Sequence, residues 1–135
     1  MSLEEFVNGL SKTVEKIIEK SGSDITPIVF AEMGNIILHI PVISFDENPR
    51  EAIKATIEAL RKMEVDWIVQ VLPINFKKFR KEKLEETGSG VLIIGVARDG
   101  TKFTKFYEVV KVEEGYEIEC TELKNFTGYL VPEPW

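Results

Sequence analysis

From Val91 to Val112 the chain reads VLIIGVARDGTKFTKFYEVVKV: an apolar run, an Asp99-Gly100 pair, then a second run rich in β-branched and aromatic residues. Asp-Gly between two such runs is the strongest short-range signal for a β-hairpin. Every other segment then reads as cover for this sheet or as an extension of it. Val91–Ala97 is apolar at every position, which places it centrally, with both faces buried. A two-residue type I′ turn at Asp99-Gly100 sets Ile93 across from Phe106 and Gly95 across from Thr104. Gly95 then leaves a notch inside a strand where a helix or a ring can approach closely.

Glu113-Glu114-Gly115 reads as a three-residue turn with Gly in the left-handed position, setting Lys111 across from Glu117 and Val110 from Ile118. In these registers one face carries Ile93, Phe106, Val110, Val112, Tyr116, Ile118 and Cys120, and the helices are expected on it. The other carries Leu92, Ile94, Val96, Phe103, Tyr107 and Val109, a half-apolar candidate interface. Glu117 and Glu119 form an acidic outer row that suits a shielded edge strand.

Upstream, Ser2–Lys20 has the pattern of an amphipathic helix. Ser2 and Glu5 match a capping box; Leu3, Phe6, Val7, Leu10, Val14, Ile17 and Ile18 share one stripe; Gly22 is a natural stop. Docking on the sheet and pairing with a partner helix are its two readings. Pro27–Met33 and Ile36–Val42 read as a hairpin around Gly34-Asn35, with Met33 across from Ile36, Ala31 from Leu38 and Val29 from Ile40. Its other face pairs Glu32 with Ile37, Phe30 with His39 and Ile28 with Pro41, and is too apolar to be left in water.

Asn48-Pro49-Arg50-Glu51 starts a second helix, which ends near Glu64 and buries Ala52, Ile53, Ile57, Leu60 and Met63. Val65–Ile74 suits a buried strand, placed by the crossover parallel to an earlier one. Phe76–Glu86 reads as a short basic helix and Thr87-Gly88-Ser89-Gly90 as a flexible joint. The aromatic tail, Asn125 to Trp135, is expected to dock on the half-apolar face.

A chain of 135 residues suits a single domain, 1–135, large enough to bury a core without staples. Its net charge of −6 argues against a surface built as a whole for polyanions, although a local basic patch survives that balance. The lone Cys120 cannot form an internal disulfide, which points to a reducing, cytoplasmic setting. No apolar run reaches the ~18 residues of a membrane span, and the acidic amphipathic N-terminus is no signal peptide. Glu and Lys dominate the charged residues and Gln occurs once, at Gln70, a bias of thermophile proteins.

For chemistry the chain offers little. One His and one Cys give no ligand spacing of the CxxC or HExxH kind, so no metal, cofactor or catalytic residue is assigned. His39 lies diagonal to Glu32, the arrangement of a base and its orienter, but packing on Phe30 accounts for it as well. Cys120, on the apolar face without a basic neighbour, is expected to be buried and inert. Asp66 and Asp99 fit turn roles. Phe76, Lys77, Lys78, Phe79, Arg80, Lys81 and Lys83 interleave cations with rings, as single-stranded nucleic-acid binders do; a solvated strip anchored by its Phe residues is the plainer account.

The fold class is α+β: two main helices on a mostly antiparallel sheet of about six strands, in the order α-β-β-α-β-β-β-β. This order is similar to that of profilin-like or roadblock-type scaffolds, and the resemblance implies a small dimerising module that binds proteins. Three functions remain open. The first is a non-catalytic interaction or assembly domain forming a homo-oligomer or binding a protein partner. The second is nucleic-acid binding through 76–83. The third is a small-molecule binder or enzyme with a pocket near His39 and Gly95.

Overall fold

The computed structural model describes residues 1–43, 50–79 and 85–122. Its elements are α1 (Leu3–Ser21), β1 (Ile28–Met33), β2 (Ile36–Pro41), α2 (Arg50–Lys62), β3 (Trp67–Phe79), β4 (Glu85–Ala97), β5 (Lys102–Val112) and β6 (Gly115–Glu122). The strands form one antiparallel sheet in the order β2-β1-β3-β4-β5-β6. The element order and fold class are those expected from the sequence.

The helices cover opposite faces. The Ser2 hydroxyl caps α1 by accepting from the Glu5 N–H at 3.2 Å, and Gly22 closes it, at φ 65°, by donating to the Ile18 carbonyl at 2.8 Å. Leu3, Val7, Val14 and Ile18 then pack on Trp67, Val69, Val71, Val91, Ile93, Tyr107 and Val109. On the other face Ile53, Ile57 and Leu60 of α2 meet Val29, Ala31, Ile68 and Leu72. Burying a Val, Leu or Ile side chain stabilises by about 1.5–3 kcal/mol, so each layer outweighs any single turn or cap. The α1 stripe docks on the sheet, although Ile17 stays exposed; Met63, expected in the α2 stripe, is exposed too.

The β1–β2 register is the one expected, from Met33 across from Ile36 to Ile28 across from Pro41. β3 runs parallel to β2, as the crossover requires, but β1 lies between them and β3 hydrogen-bonds antiparallel to β1.

The β4–β5 register differs from expectation by one residue: Ile93 faces Lys105 and Gly95 faces Phe103. Asp-Gly serves two loops. Here the Asp99 carboxylate accepts from the Thr101 N–H at 2.9 Å. The Ala97 N–H donates to the Thr101 carbonyl, and Gly100 sits at φ 95°. The result is a three-residue loop with Gly in the positive-φ position rather than a type I′ turn. A one-residue slip turns every β5 side chain to the opposite face. The second turn slips as well, since Val112 faces Gly115 across Glu113-Glu114 and Val109 faces Ile118. The two slips cancel, so β6 keeps its expected face while β5 does not.

Residues 75–79 and 85–90 are strand, not a basic helix and a joint: pairing runs from Asn75 across from Ser89 to Phe79 across from Glu85. Gly88 allows this, because a Cβ there would come within 2.4 Å of the Phe76 ring. At the other end of β3 a backbone junction joins three segments. The Asp66 N–H donates to the Glu32 carbonyl at 2.8 Å, and the Arg98 N–H to the Asp66 carbonyl at 3.0 Å.

Candidate functional site

β2 is built from Ile36-Ile37-Leu38-His39-Ile40-Pro41 and has a single described neighbour, β1. The tight Gly34-Asn35 turn brings it back along β1, and the alternation sorts its side chains. Leu38 and Ile40 are partly buried against the core under α2. Ile36, at the end of that row, is 58% exposed, and Ile37, on the α1 side, is 37% exposed. His39 and Pro41 are exposed, as is Ile43 just beyond. No charged side chain lies anywhere on the strand.

The α1 face explains that exposure. Phe6 of α1 packs edge-on to Phe30 at 5.2 Å between ring centroids and against Trp67 at 4.6 Å. His39 stacks on Phe30 at 4.8 Å and 21°. Among the described residues, cover on this face therefore stops at β1, and the outer half of the first hairpin lies beyond it. Stacking is the plain account of His39, and among the described residues Glu32 pairs instead with the Met1 amino group at 3.7 Å.

The notch at Gly95 is filled by α1. A Cβ there would lie 2.9 Å from Leu3 Cδ1 and 3.1 Å from Val7 Cγ2, so the missing side chain seats a helix.

The six candidate interface residues do not share a surface. Phe103, Tyr107 and Val109 lie under α1, while Leu92, Ile94 and Val96 cluster on the opposite face with Ile74 and Phe106. The β5 slip divides them. Tyr107 is fully buried, and its hydroxyl donates to Glu15 Oε1 at 3.2 Å. Burial disfavours the phenolate and pushes this tyrosine well above its ordinary range. Cys120 faces Tyr107 across the β5–β6 pair and is exposed, contrary to expectation, because β6 is an edge.

Of the basic–aromatic stretch, Phe76 is engaged within the fold, edge-on to Phe106 at 5.3 Å. Lys77, Lys78 and Phe79 occupy β3 register positions across from Thr87, Glu86 and Glu85. Arg80, Lys81 and Lys83 lie outside the described residues, as do the expected Asn48 cap and the aromatic tail.

An open depression of about 500 Å³ at the end of α2 is lined by Glu58, Arg61, Lys62, Glu64 and Arg98. Arg98 donates through Nε and Nη2 to the Val65 carbonyl at 3.2 and 2.8 Å. Arg61 and Lys62 occupy the last turn of α2, where cations complement the helix dipole. Fold chemistry accounts for these cations. Among the described residues no group of three or more His, Cys, Asp and Glu could hold a metal ion. None of the described helices is long and apolar enough to cross a membrane.

The edge of β2, unpaired by any described strand, is not one of the sites expected from the sequence. Its signals in the sequence are the uncharged run and Pro41, since proline within a strand marks an edge. Comparison with protein families, curated proteins and solved structures finds no match to this chain.

Proposed function

We propose that this chain is a non-catalytic assembly domain that associates through the edge of β2 that no described strand pairs. One observation carries the reading: an edge strand with exposed Ile36 and Ile37 and no charge along its length. An open edge offers unpaired N–H and C=O groups to any strand that reaches it, and charges or cover ordinarily block it. Strand addition draws affinity from main-chain hydrogen bonds and specificity from alternate side chains.

Sedimentation of the full chain over a range of concentrations tests this. The wild type is expected to exceed the mass of one chain at micromolar concentration, and Ile36→Lys to fall to one chain. A wild type that remains monomeric at hundreds of micromolar overturns the reading.

A further inference from the structure

We infer that the C-terminal segment 123–135 folds back across the α2 side of the sheet and covers Leu92, Ile94 and Val96, as a strap held by its aromatic side chains. This goes beyond the assembly reading and does not depend on it.

The face has a cover that no described element supplies. Leu92, Ile94 and Val96 are 1%, 8% and 7% exposed, and Thr104, across from Ile94 on β5, is 8% exposed. This burial is reached within one chain, so the cover belongs to the same chain and not to a second copy. α1 lies on the opposite face of the sheet. The buried side chains of α2, Ile53, Ile57 and Leu60, pack in a separate cluster with Val29, Ala31, Ile68 and Leu72. Among the described residues only Ile74 and Phe106, which stand beside the three within the sheet, pack against them. An apolar row on an antiparallel sheet needs a layer above it to leave water.

Exposure along β5 shows where that layer lies. Val110, Phe106 and Thr104 point to this face in turn. Val110 is 49% exposed, Phe106 is half-buried and Thr104 is buried. Burial therefore deepens toward the end of the sheet at which the chain leaves it, because β6 ends at Glu122, paired with Lys105 beside Thr104. From Thr104, Ile94 is two strand spacings away along the pairing, about 10 Å, a gap that about three residues of extended chain cross.

Three segments lie outside the described residues, and their chemistry separates them. Residues 44–49 have a single ring, Phe45, and must join β2 at one edge of the sheet to α2. Residues 80–84 carry four charges and lie beyond the Phe79–Glu85 pair, seven residues along β4 from Leu92. The thirteen residues 123–135 bring Phe126, Tyr129, Leu130 and Trp135, with Lys124 and Glu133 as their only charged side chains. The tail thus starts level with the buried row and has the apolar groups to meet it, which would otherwise stand in water on both sides.

Nuclear Overhauser contacts in the full wild-type chain test the strap, with labelled and unlabelled copies mixed to separate contacts within a chain from contacts between chains. The Leu92, Ile94 and Val96 methyls are expected to contact the Phe126, Tyr129 or Trp135 ring of the same chain. Absence of every tail ring from these contacts, whether Phe45, a second copy or water lies there instead, overturns the inference. A chemical readout uses the full chain with Cys120→Ser and Ile94→Cys. Adding Phe126→Ser and Tyr129→Ser is expected to speed modification of the new thiol at least tenfold, while α1 and β3 keep their amide protection. An equal rate, or protection lost evenly through α1 and β3, overturns the strap, since its release should uncover one face alone.

Discussion

The two edges of the sheet differ in what they offer a passing strand. β6 has Glu117 and Glu119 exposed along it, and Tyr116 and Ile118 partly buried beneath α1. β2 has no charge and, among the described residues, only half a covering, because α2 reaches Leu38 and Ile40 while α1 stops at Phe30. The same backbone geometry therefore carries opposite instructions. A carboxylate on an edge must lose water and meet its like when another strand docks, and an isoleucine gains from the same event. The contrast shows that openness at an edge is decided by side chains, not by the unpaired ladder alone.

The strongest way to break the contrast is to strip the charge from β6. With Glu117→Val and Glu119→Val both edges become receptive, and contacts at two edges no longer close on themselves. Light scattering is expected to show open-ended assembly many chains in mass; an unchanged size would mean that the glutamates do not guard the edge. A smaller effect is expected from Ile57→Ala in α2. It should destabilise the fold by about 2–5 kcal/mol in urea unfolding. Because Ile57 packs in the core that borders β2, amide protection in β1 and β2 should fall more than in β6. Equal loss at both edges would show that the two layers do not act separately.

The smallest effect concerns Tyr107, which lies under α1 beside β6. Its folded pKa is raised above the ordinary value of 10.0, so the unfolded chain loses this proton first as pH rises. The stabilisation is complete below pH 10 and is lost progressively above it. Tyr107→Phe should cost about 1 kcal/mol at neutral pH and weaken the alkaline fall in stability. A variant with the wild-type alkaline profile would place that sensitivity elsewhere.

The elements were legible where a single periodicity ruled. α1 and the first hairpin each have one apolar pattern and one strong terminus or turn, and both lie as that pattern places them, while α2 follows its apolar pattern as far as Leu60. β5 was not legible, because Phe103, Tyr107 and Val109 make one apolar row and Phe106, Val110 and Val112 make another. The observed loop carries the Asp99–Thr101 hydrogen bond and the observed row packs under α1, while the sequence Asp-Gly allows either loop. Residues 75–79 and 85–90 depart from the local pattern for a related reason. Lysines and glycines argue against a strand locally, while pairing with a long partner strand argues for one, and the Phe76–Gly88 contact settles it. The candidate surface followed β5: once its register slips, a patch of six becomes two sets of three. The β2 edge has a faint signature in the sequence, because that signature is the absence of charge.

The junction of Glu32, Asp66 and Arg98 has a kinetic consequence. Its two backbone bonds fasten the end of the first hairpin, the entry to β3 and the turn between β4 and β5, all remote from one another along the chain. The Asp66–Arg98 bond lies at the far end of the β3–β4 ladder, the furthest point from its connection, so this corner should be the last part of that hairpin to set during folding.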